Sequence, residues 1–103
     1  MERTYRNAEL SIKNVGETVT LIGWVAKRRN LGSILFVDLR DRSGIVQVLI
    51  NEDVSAPDIR NEYILQVTGV VSKRANPNPN LATGEIEVVA SEVNLVNTAK
   101  TTP

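Results

Sequence analysis

Phe36 is the only phenylalanine in the chain, and it stands in "ILFVDLR" beside charged residues. In that stretch Leu35, Val37 and Leu39 alternate onto one face, while Ile34, Phe36, Asp38 and Arg40 fall on the other. An outward aromatic offers a π-face on which a planar base can stack. Around it the sequence supplies matching groups. Arg28 and Arg29 can meet phosphates or stack, and Gln47 carries one acceptor and two donor hydrogens that suit the edge of a base. Glu87 has the outward parity opposite Ile86 and Val88, and Asn76 and Asn78 supply amides in "NPNPN", where the prolines hold the chain extended. Each residue also fits a plainer role: a core Phe, a solvated Gln, charged cross-strand pairs among Arg40, Asp41 and Arg42, and Asn-Pro turns. The pattern gains weight only if one surface collects them.

The elements that would do so have a period of two. Residues 18–27, "TVTLIGWVAK", form a first expected strand, with Gly23 where a small barrel needs a bend or bulge. "RNLG" turns it into a second at 33–40, and "DRSG" turns that into a third at 45–50. Residues 51–61 lose the alternation and are read as a surface connection with at most one helical turn. A fourth strand at 62–74 has apolar residues on both faces, and a fifth at 85–97 changes its inward parity near Ala90 to Glu92. Leu10, Ile12 and Val15 form a short N-terminal pattern suited to a helical turn that caps the barrel, and Trp24, in parity with Ile22 and Ala26, is read as structural. Five strands in so short a chain, without a strong helix among the first three, argue for an all-β, five-stranded OB-fold Greek-key barrel. In that fold the face of strands two and three and the loops beside it bind oligonucleotides.

Composition narrows the chemistry. The 103 residues suit one domain, assigned here to 1–97, with 98–103 as the start of a linker. Cysteine and histidine are both absent, which removes the thiol nucleophile, the thiolate metal site and the commonest general base. Twelve basic residues balance twelve acidic ones, so net charge does not announce a nucleic-acid partner. Distribution is more telling. Lys27, Arg28, Arg29, Arg40 and Arg42 face only Asp38 and Asp41 within residues 27–42, and Lys73 and Arg74 precede the Asn/Pro loop. The start has no apolar core for a signal peptide and no segment is long enough to span a bilayer, so the expectation is a cytoplasmic protein without a membrane partner.

"GWVAKRRNLGSILFVDLRDRSGIVQV" closely resembles the opening OB domain of bacterial aspartyl-tRNA synthetases, where Gly-Trp-Val, Arg-Arg-Asp-Leu-Gly, Phe-x-Asp-x-Arg-Asp and Gly-Ile-Val-Gln-Val recur in order. "QVTGVV" and "TGEIEV" fit the same domain. The resemblance implies a domain that grips the tRNA anticodon stem-loop, whose middle base is U. Phe36 would stack on that base, Gln47 bond its edge and Arg29 contact the stem-loop, with Glu87, Asn76 and Asn78 near the flanking bases. It also implies that ATP and Mg²⁺ are used by a separate catalytic domain, so that this domain needs no cofactor and has no catalytic residues. The parent would be a homodimeric ligase and the isolated domain a monomer. Asparaginyl and lysyl relatives share the fold and the middle U, but match the second strand and its turn less well. A generic single-strand binder and a protein-interaction module are the readings from other classes. Departures from the family pattern are Asn30 for Asp, Ser43 for Glu, a short 51–61 connection and "TYRNAEL" in place of Tyr-Cys-Gly.

Overall fold

The structure, a computed structural model, describes residues 2–98, so all but the first residue of the expected linker lies outside the described residues. Five strands follow two short 3-10 turns at Asn7–Glu9 and Ile12–Asn14: β1 Thr18–Leu31, β2 Ile34–Asp41, β3 Gly44–Asn51, β4 Ile64–Lys73 and β5 Ile86–Asn97. They close into a barrel in the order β1-β2-β3-β5-β4, antiparallel throughout except for the parallel β3–β5 pair. This is the OB architecture expected from the alternation.

The alternation sets what is inside. Val37 and Leu39 of β2, Val46 and Val48 of β3, Leu65 and Val67 of β4, and Ile86 and Val88 of β5 are fully buried. The parity change in β5 is also present. Gly69 pairs with Ala90 and Thr68 with Glu92, which leaves Ser91 as the extra residue of a bulge, and Val93 then returns to the core.

β1 departs from the expected strand at its far end. It runs four residues past Lys27, and Gly32 and Ser33 alone make the turn into β2, with Gly32 at φ +66°. Beyond Ala26 the strand no longer lies over the core, so its apolar rhythm ends although its pairing with β2 continues. The bulge in β1 falls between Val25 and Lys27 and not at Gly23. Gly23 has a different duty: a Cβ there would strike the Arg40 carbonyl, where β1 crosses from β4 to β2. Of the N-terminal apolar trio only Leu10 enters the core. Ile12 and Val15 remain 41% and 43% exposed, because the second 3-10 turn lies on the rim. The other end of the barrel is filled by Ile59 from the helix-free 51–61 connection.

Asn7, which no pattern marks, and Asp41, read from the sequence as part of a charged cross-strand pair, instead tie the N-terminal turn to the β2–β3 hairpin. The buried Asn7 amide donates to the carbonyls of Leu39 (2.9 Å) and Gly44 (3.1 Å), while the Asn7 N–H donates to Asp41 Oδ2 at 2.9 Å. Asp41 Oδ1 accepts from the Ser43 hydroxyl and N–H and from the Gly44 N–H. Burial pushes the Asp41 carboxyl up, but these hydrogen bonds outweigh it and hold it below its ordinary 3.8. A depressed carboxylate contributes stability that is present above the unfolded value and is lost as pH falls through the folded one. Urea melts should therefore show stability declining as pH drops below about 4, with a flatter acid limb in Asp41→Asn. Asp41→Ala should cost about 2 kcal/mol at neutral pH, because several donors lose their acceptor. An alanine variant that melts like wild type would show that the hairpin base does not depend on this carboxylate.

Candidate nucleic-acid interface

Register aligns the outward side chains of four strands. Arg29 pairs with Phe36, Phe36 with Leu49, Asp38 with Gln47, and Gln47 with Glu87 across the parallel β3–β5 pair. Side chains so paired lie on one face. The start of the β4–β5 loop, Arg74 to Asn76, closes over this face and leaves an open groove of about 270 Å³.

Within the groove the polar groups form a chain. Arg29 Nη2 donates to Gln47 Oε1 at 3.0 Å, and Gln47 Nε2 donates to Glu87 Oε1 at 2.8 Å. A guanidinium can only donate and an ionised carboxylate only accept, so the Gln47 amide is held in one orientation. Gln47 is 6% exposed, which sets aside its reading as a solvated polar residue. Its amide keeps one lone pair and one N–H for a ligand. The Arg29 guanidinium also lies 5.9 Å from the Phe36 ring centroid, within cation–π range. Phe36 is half-buried and belongs neither to the core nor to the side chains packed on it.

Five of the seven residues expected at the site meet here: Phe36, Gln47, Arg29, Glu87 and Asn76. Two do not. Arg28 pairs with the inward Val37, and its Nη1 donates to the Ile59 carbonyl at 2.6 Å, closing the barrel end. Asn78 builds the loop: its N–H donates to the Gly84 carbonyl, its Oδ1 accepts from the Asn80 N–H, and it lines a separate cleft with Pro77 and Pro79. Leu31, Leu49, Arg74 and Ala75 complete the groove; of these only Arg74 stands out in the sequence, by its charge ahead of the Asn/Pro loop. Leu49 shares the parity of Gln47 and was within reach of the pattern. Leu31 was hidden by ending β1 too early.

Residues 19–96 match the family described as OB-fold nucleic acid binding domain, of the tRNA anticodon type. The chain belongs to that family. The aspartate–tRNA ligase of Bacillus licheniformis is 53% identical over 98% of this chain, as is the aspartate–tRNA(Asp/Asn) ligase of Bacillus subtilis. The chain spans 18% of the length of each. Among solved structures, a putative aspartyl-tRNA synthetase from Leishmania major superposes with a TM-score of 0.79 at 26% identity, covering 98% of this chain and 22% of that one. An OBody bound to hen egg-white lysozyme also scores 0.79 at 26% identity, covering 96% of this chain and 97% of the OBody. Among the described residues no helix is long and apolar enough to cross a membrane.

Proposed function

We propose that this OB domain is the anticodon-recognition module of an aspartate–tRNA ligase, and that it reads the middle base of the anticodon in the Phe36 groove. The observation that carries this reading is the Arg29–Gln47–Glu87 chain beside an outward aromatic ring. A base enters with its face on Phe36 and its edge toward the Gln47 amide, which offers a donor beside an acceptor and so complements the N3–H and carbonyl oxygens of uracil. Two stacked contacts of about 3.5 Å each need about 7 Å. The 5.9 Å between Arg29 and the ring is too short for that. Arg29 therefore moves outward as the base arrives, and its guanidinium becomes free for a phosphate or the base edge. Arg74 and Asn76 at the groove mouth stand where flanking nucleotides would pass.

The module supplies selection, and the aminoacylation chemistry belongs to the remainder of the parent ligase. In this reading ATP and Mg²⁺ are used by that remainder.

Stem-loops that differ only in the anticodon test the proposal. The aspartate stem-loop should bind in preference to one with C at the middle position, and Gln47→Ala should reduce that preference by about 1 kcal/mol or more. The log–log salt slope should be shallow, about −0.7 for each of roughly two to three phosphates neutralised. Equal affinity for every anticodon would favour a generic single-strand binder. Binding to no RNA would turn attention to a protein partner, for which the lysozyme-bound OBody is a precedent in fold.

A further inference from the structure

The one tryptophan takes no part in the Phe36 groove, and the core does not use it either. Trp24 lies where β1 parts from β4 and joins β2, paired with Ile64 on one side and Arg40 on the other. It is half-buried, yet it is absent both from the buried core and from the side chains packed against that core. The structural role expected from its parity is therefore not a core role, because at this crossing its parity points outward. Trp24 lines a cleft of about 180 Å³ with Ile22 and Ile64, rimmed by Arg3, Arg6, Arg42 and Asp41.

The rim is unbalanced in charge. Asp41 is the only acid in the lining, and its oxygens are engaged by Asn7, Ser43 and Gly44, which leaves Arg3 a loose contact at 3.8 Å. Among the described residues no acidic side chain lies within ion-pair distance of Arg6 or Arg42. A half-exposed indole beside unpaired guanidinium groups meets both halves of a nucleotide: the ring stacks on a base and the forks take its phosphate. An acidic peptide would satisfy the arginines but leave the indole without a planar partner.

Position favours the same ligand. Phe36, Asp38 and Arg40 alternate along the outer face of β2, and Trp24 sits opposite Arg40. At about 3.4 Å per residue the cleft is about 14 Å from Phe36 along the strand. A groove of about 270 Å³ cannot hold a whole anticodon loop. A strand leaving the groove along β2 arrives at Trp24.

We propose that the Trp24 cleft is a second RNA subsite, which stacks a nucleotide beyond the one on Phe36 and holds its phosphate on Arg3, Arg6 and Arg42. It rests on the RNA reading of the Phe36 groove. Because Trp24 is the only tryptophan in the chain, indole emission reports this cleft alone. The whole chain is titrated with dye-labelled aspartate anticodon stem-loop, with anisotropy following overall binding and indole emission following the cleft. Emission should be quenched with the midpoint of the anisotropy rise, whereas a trinucleotide of the anticodon alone should bind more weakly and leave emission level. The double variant Arg6→Gln, Arg42→Gln alters exposed side chains only. It should bind the stem-loop about tenfold more weakly, lose the quench, and flatten the salt slope by about 0.7 for each phosphate contact removed. Emission that stays level while anisotropy rises, or a double variant that binds like wild type, overturns the subsite and leaves the Phe36 reading intact. Failure of the wild-type chain to bind the stem-loop at all overturns both.

Discussion

Phe36→Ala should weaken binding of the aspartate anticodon stem-loop by about 1–3 kcal/mol, five- to more than a hundredfold, while the fold loses only about 1 kcal/mol. The two numbers separate because of where the ring lies. A buried phenylalanine truncated to alanine typically costs about 3–5 kcal/mol of stability. Phe36 is outside the core cluster, half-buried on the outer face between Arg29 and Leu49, so the barrel keeps its interior when the ring is removed. What disappears is the stacking surface, together with the cation–π contact that holds Arg29 near Gln47. A titration and a urea melt on the same variant make the test. A melt far below wild type would return Phe36 to a structural role, and unchanged stem-loop affinity would remove it from the RNA surface.

The barrel was legible because period-two alternation is a direct imprint of a wall with an inside and an outside. It reached even the bulge in β5, since an extra residue at Ser91 shows as a slip of parity between Ala90 and Val93. It failed where strands leave the core. Lys27 to Leu31 pair with β2 past the end of the core, and no apolar rhythm marks a segment that puts no side chain into that core. The same blindness concealed Leu31 in the groove and the turning of Arg28 toward the Ile59 carbonyl. One residue of register separates Arg28, opposite inward Val37, from Arg29, opposite outward Phe36, and charge alone cannot tell them apart. Gln47 and Glu87 shared outward parity in the sequence, but their contact requires β3 and β5 to be neighbours, and only barrel closure provides that. Asn78 shows the reverse case: an amide in a proline-rich loop looked available, but the loop uses it for its own turn.

Closure also depends on positions without a side chain, and of these Gly69→Ala should be the most damaging small substitution in the barrel. Gly69 lies on β4 between Val19 of β1 and Ala90 of β5, in the inward parity of Val67 and Val71. The bulge at Ser91 brings the β5 backbone beneath it. An added Cβ would strike the Val89 carbonyl oxygen, with the carbonyl carbon at 2.8 Å and Ala90 Cα at 2.9 Å. These are backbone atoms held by the ladder on both sides, so relief requires β4 and β5 to separate, and no rotamer can provide it. The expected cost is about 3 kcal/mol or more, a large share of the ~5–15 kcal/mol that holds a domain together. Gly32→Ala is the control. Gly32 sits at φ +66° with nothing within 4 Å of an added Cβ, so alanine there meets only the left-handed backbone penalty of about 1–2 kcal/mol. Urea melts should rank wild type, then Gly32→Ala, then Gly69→Ala. The reverse order would mean that the β4–β5 seam yields more easily than the hairpin turn. In the expected order, binding should follow the seam as well, because β5 carries the Glu87 carboxylate that holds the Gln47 amide in place.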